Sequence, residues 1–208
     1  MITNTALVRF GWLKGISSLQ KGKTKRRRLL MYPNDYILFL VHFHGDKDYF
    51  ECHEILEEYW KQVDKANKQS IWVAFILLAV SCYHFRRANY SGALKTIRKS
   101  AAIFQRENGN ISNYGLNKDQ LLMSLAQLEK NIVQKTAFQP LDLPIFDIKL
   151  EQLCQNKAAE LKIVWKDSAP ADSAIINRHL TRDRSAVLKE RDEARLIRKQ
   201  KNKKHLFV

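Results

Sequence analysis

The ten residues "IWVAFILLAV" at 71–80 carry no polar side chain, and they constrain the fold more than any other stretch. A bilayer span needs about 20 apolar residues, so this run is too short to cross a membrane. From about Ser70 to Arg87 the segment reads as one helix, apolar almost all round until Ser81. A helix of that kind must be covered on every side, which places it at the centre of a bundle.

The flanking sequence has the matching period. Over residues 33–44, Tyr36, Leu40 and Phe43 share a helical face, Pro33 pre-sets the first turn and Gly45 supplies a stop. Asp46 or Asp48 caps the next helix, with Glu51 three residues beyond Asp48 in a capping-box arrangement. Its stripe is expected to be Cys52, Leu56, Tyr59 and Val63. A fourth helix places Tyr90, Leu94, Ile97, Ala101 and Phe104 at helical spacing. A fifth opens on Asn117 and Gln120 and runs through Leu121, Leu125, Leu128 and Ile132. Seven Gly and four Pro leave little room for the tight turns of an all-β chain. The expected fold is all-α: a compact multi-helix bundle with a mostly helical C-terminal extension.

The bundle is expected over residues 31–136. Beyond it, "FQPLDLPIFD" reads as an extended linker, followed by a short helix near 146–156. Leu161, Ile163 and Trp165 alternate as in a brief strand or extended arm, and a basic helix is expected over 183–204. The net charge of +15 sits mainly at the ends. Residues 1–30 hold eight Lys/Arg and no acid, whereas residues 31–140 carry only +2 and residues 141–208 carry +5. The basic stretch 1–30 is read as leader sequence upstream of a start at Met31, with a flexible arm or an organelle-targeting presequence as the alternatives. The three cysteines, Cys52, Cys82 and Cys154, form no C-x-x-C pair. That argues against a disulfide framework and suits a reducing, cytoplasmic setting.

Chemistry concentrates in "YFECHEILEEYW", residues 49–60. His53 and Glu57 lie four apart and therefore neighbour one another on a helix, with Glu54 one step round. Divalent metals take three or four converging groups of this type. The zinc-protease pattern H-E-x-x-H stands here as H-E-x-x-E, which changes the ligand set. The other reading is a structural network, in which Arg86 or Arg87 from the end of the central helix pairs with Glu54 or Glu57. The two differ in form: a catalytic site needs a cleft open to solvent, whereas a network is closed and fully hydrogen-bonded.

"YFECHEILEEYW" together with "LLAVSCYHFRRANYSGAL" resembles the helical family catalogued as domain of unknown function 309, over about residues 32–107. The family pattern F-E-x-H-E-x-x-E-x-x-W falls here on Phe50, Glu51, His53, Glu54, Glu57 and Trp60. Its second part, a histidine and an R-G-N turn, falls on His84, Arg87 and Asn89. Leu77 stands where a Gln is common and Ala88 where the turn has Gly. The resemblance implies a compact all-α fold and brings no activity with it.

The candidate polar cluster is thus Glu51, His53, Glu54, Glu57, His84, Arg87 and Asn89. The expected function is a non-catalytic interaction or scaffold module with a protein partner and no cofactor. One alternative is a metal-dependent hydrolase using His53, Glu54, Glu57 and His84, with His53, Glu57 and His84 as candidate ligands of a divalent metal. A second is sequence-independent nucleic-acid binding through Arg195 to Lys204.

Overall fold

The computed structural model describes residues 32–107 and 110–178. Among them are seven helices: α1 (Asn34–His44), α2 (Tyr49–Val63), α3 (Ile71–Arg86), α4 (Tyr90–Arg106), α5 (Lys118–Val133), α6 (Ile148–Leu161) and α7 (Ser173–Ile176). No strand occurs among these residues; one isolated antiparallel bridge joins Leu116 to Ile145. The fold is all-α, as the periodicity predicts. The basic stretch 1–30, Met31 and the segment Arg195 to Lys204 lie outside the described residues.

Helix α3 occupies the centre, packed on α2 along one side and α4 along the other. Ten of its side chains are buried, including Phe75, whose ring meets Phe39 and Phe104 edge-on at 5.4 and 5.0 Å. Offset and edge-on contacts of this kind add to the area each ring removes from water. α1 closes the far side of the core against α2 and α6, and α5 lies against α4.

The helix ends follow the sequence signals. The Asp48 side chain accepts from the Glu51 amide at 3.0 Å, while the Asp48 amide donates to Asp46 Oδ1. Both acids therefore serve the same corner. Asn89 and Asn117 cap α4 and α5 by accepting from the amides of Gly92 and Gln120. Gly45 ends α1 because of space: a Cβ there would lie 2.3 Å from Ile163 Cγ2 and 2.7 Å from the Val41 carbonyl.

Two expectations are corrected. Val63 is 52% exposed, and the α2 stripe instead runs Tyr49, Cys52, Leu56, Trp60. Trp60 swings into the last position because its indole also donates to the Asn67 carbonyl beyond the helix. The alternation of Leu161, Ile163 and Trp165 makes no strand. α6 runs on to Leu161 and ends at Lys162 in a left-handed conformation (φ 57°), where the Ile163 amide bonds back to the Ala158 carbonyl. Ile163 then turns onto Gly45 and Trp165 onto the His44 ring at 5.2 Å. Leu143, Leu150, Cys154 and Ala158 join the same buried core as the first five helices. Lys47 secures the following segment, donating from a buried ammonium to the carbonyls of Gly45, Asp167 and Ala169.

Candidate functional site: a groove over the central helix

The acid-rich face of α2 gathers around His53. Its Nδ1 lies 3.1 Å from Glu54 Oε1 and its Nε2 lies 3.0 Å from Glu57 Oε2. Glu57 also receives Lys61 at 3.0 Å. Burial works against a proton on this imidazole, but the two carboxylates outweigh it and push the His53 pKa up to about 9. Glu57 moves the other way, to about 2, chiefly through its bond to His53 and against the effect of its own burial. Between those limits the group is an imidazolium held by carboxylates on both nitrogens.

This arrangement combines features of both sequence readings. It is hydrogen-bonded as a network would be, yet the His53 and Glu57 side chains keep 27% and 34% of their surface. They stand on one wall of a solvent-open groove of about 540 Å³ between α2, α3 and α4. The expectation of a closed, buried network is corrected accordingly. The floor is apolar, formed by Val73, Ile76 and Leu77 of α3 with Trp60 and Ile103 beside them. The α4 rim is cationic, with Lys99 and Arg106 projecting from it, and a further cation, Lys68, lies 4.3 Å over the Trp60 ring of α2.

The other candidates separate into structural roles. Glu51 sits in the first turn of α2, where Arg178 approaches it at 3.5 Å and also pairs with Asp48. His84, Arg87 and Asn89 form the α3–α4 corner. The Asn89 amide bonds to the His84 carbonyl and the Ala88 amide to the Phe85 carbonyl, a Schellman closure with Ala88 left-handed at φ 56°. His84 Nδ1 lies 3.1 Å from Asn89 Nδ2, and Arg87 donates to the Tyr83 hydroxyl at 2.8 Å. Burial and the neighbouring Arg87 hold the His84 pKa below its ordinary value. The two motif halves meet where the Phe50 ring faces Tyr83 at 6.1 Å.

Arg86 does not reach the α2 carboxylates as its main partner. It donates to the Lys47 carbonyl at 2.8 Å and stacks 4.9 Å over the Tyr49 ring. Among the described residues, the ligand-type atoms that converge within 4.8 Å belong to His53, Glu54 and Glu57, without His84. A divalent ion there would have to displace the proton that these carboxylates stabilise on His53. The sequence reading missed the α4 wall. Its signal was present as Lys99 and Arg106, seven apart and so on one face of a helix without a single acid.

The profile described as Domain of unknown function (DUF309) matches residues 36–96, which span the acid-rich helix, the central helix and the His84–Asn89 corner. The chain is 41% identical over 164 residues to a protein of Bacillus subtilis (strain 168) called "Uncharacterized protein YpuF", covering 78% of this chain and 94% of that protein. No solved structure matches the chain. With most of both chains aligned at that identity, and the motif helices inside the matched region, this protein belongs to the DUF309 family.

Proposed function

We propose that this protein is a non-catalytic interaction module that seats a segment of a protein partner in the groove between α2, α3 and α4. The observation that carries this reading is the apolar floor. The central helix leaves Val73 and Leu77 partly exposed in a concavity of about 540 Å³. Apolar surface in a polar-rimmed concavity gains free energy when covered.

Acid–base work is less well supported. A general acid or base serves best with a pKa near the working pH. His53 at about 9 and Glu57 at about 2 are driven apart from neutrality and hold each other's charge. A metal-dependent reaction keeps one point in its favour, the convergence of His53, Glu54 and Glu57. Calorimetric titration with Zn²⁺, repeated on His53→Ala, tests it: tight binding that the variant loses would favour that alternative.

Phage-displayed random peptides selected on the intact protein test the docking reading. Ala102 is exposed on the α4 wall, so Ala102→Trp fills the groove without touching the core. Selected peptides should carry apolar anchors and lose binding to Ala102→Trp while its melting temperature stays unchanged. Peptides that bind both proteins equally would place docking elsewhere and refute the proposal.

A further inference from the structure

Around the groove, the charges that no group of opposite sign answers are all positive, and this specifies what fits there. We infer that the occupant is an acidic segment of a protein partner, with apolar anchors on the α3 floor and two or more carboxylates against Lys68, Lys99 and Arg106. This rests on the docking reading above.

The groove's lining holds one carboxylate, Glu57. Both of its oxygens are engaged, one by His53 and the other by Lys61, each at 3.0 Å. Glu51, Glu54 and Glu58 line a separate hollow. Lys68, Lys99 and Arg106 are exposed, and among the described residues no acid forms an ion pair with any of them. Arg106 donates to Gln69 Oε1, a neutral partner, and Lys68 lies 4.3 Å over the Trp60 ring. Neither contact cancels a charge. Because Gln69 follows Lys68 in the chain, the Arg106 bond gathers two cations at one end of the groove. Lys99 precedes Arg106 by seven residues and so stands roughly 10 Å away along α4.

That spacing chooses among anions. A single acidic headgroup reaches one of these positions, whereas a chain with several carboxylates reaches both. Side chains about seven residues apart in a helix, or about three apart in an extended segment, cover the distance. Nucleic acid fits less well, since bases stack on open aromatic faces. The floor here is aliphatic, formed by Val73, Ile76 and Leu77, and Trp60 is buried beneath Lys68. The chain's own ends have the wrong sign. Residues 1–30 hold eight Lys/Arg and no acid, and residues 179–208 hold ten Lys/Arg against four Asp/Glu. Either would set like charges against the cationic rim.

A peptide selected on the intact protein, labelled with fluorescein and remade with Glu, Gln or Lys at the same positions beside its apolar anchors, tests the inference. By anisotropy at low salt the Glu form should bind wild type about threefold to tenfold more tightly than the Gln form, since each exposed ion pair contributes a factor of about 1.4 to 5. The Lys form should bind most weakly. The Glu advantage should shrink at about 0.5 M salt, where charges are screened within a few ångströms. The double variant Lys99→Glu/Arg106→Glu, changed only at exposed positions, should reverse the order and favour the Lys form. Equal binding of all three forms, or preference of wild type for the Lys form, each lost in Ala102→Trp, would overturn the acidic inference and leave the docking reading standing. An acid preference that the double variant leaves unchanged would place the carboxylates elsewhere on this basic chain, and the inference would fail. Oligothymidylate that binds wild type and is lost by Ala102→Trp would make the groove a nucleic-acid site, with the same consequence. Binding of no form to wild type would overturn both readings.

Discussion

Exchanging His53 for Gln keeps a polar side chain of similar reach but removes the cation between Glu54 and Glu57, whose oxygens lie 3.1 and 3.0 Å from the ring. The expected loss follows from linkage. A pKa raised from 6.5 to about 9 corresponds to about 3 kcal/mol if none of it is screened. Solvent reaches about a quarter of the imidazole and a third of Glu57, which reduces the figure to ~1–2 kcal/mol. Because the folded pKa of His53 is raised, its contribution is complete below pH 6.5, declines above it, and is gone once the pH has passed about 9. Glu57, lowered to about 2, contributes fully above its ordinary value of 4.5 and loses that contribution as the pH falls towards 2. The difference in stability between wild type and His53→Gln should therefore peak between about pH 4.5 and 6.5 and fall on either side. Urea denaturation of both proteins between about pH 3 and 9.5 reads it directly. The buried thiols, with Cys82 and Cys154 raised to about 12, add their own loss of stability in alkali. They do so in both proteins, so the difference isolates His53. Glu58→Ala, at an exposed position on the same helix, should change stability by less than about 0.5 kcal/mol. A wild-type minus His53→Gln difference that stays flat with pH would refute the ion-pair reasoning.

The remaining predictions concern the scaffold. Ala88→Gly should stabilise the protein by about 0.5 kcal/mol in urea, because relief of the left-handed strain at φ 56° outweighs the added freedom of the unfolded chain. Gly45→Ala should cost about 1–3 kcal/mol, since the new Cβ meets the Val41 carbonyl at 2.7 Å and Ile163 at 2.3 Å; thermal melting checks it. Asn117→Ala removes the acceptor for the Gln120 amide and should lower stability by about 1 kcal/mol, again read in urea.

How far the sequence reached differs from element to element. The α5 cap at Asn117 and its stripe Leu121, Leu125, Leu128 and Ile132 were legible because a cap and an i, i+4 face depend only on residues within one helix. The same holds for the meeting of His53 with Glu57. Alternation misled at Leu161, Ile163 and Trp165, since a period of two over five residues does not distinguish a strand from a helix end that turns back onto the core. Val63 and Trp60 compete for the last position of one stripe, and the choice fell to an indole bond with Asn67, outside the helix.

For the candidate site the division is sharper. The sequence by itself determined a central apolar helix, an acidic α2 and an acid-free α4, because composition and period belong to each segment alone. It could not tell that His84 is held in the α3–α4 corner, away from His53, since helical spacing along one chain says nothing about distances between helices. Nor could it say that α2 and α4 flank the same face of α3. Packing decided that: both helices bury their stripes against α3, and the crossing leaves Val73 and Leu77 partly exposed between them. The groove is a property of the space between three helices, and that space exists only once their buried faces have met.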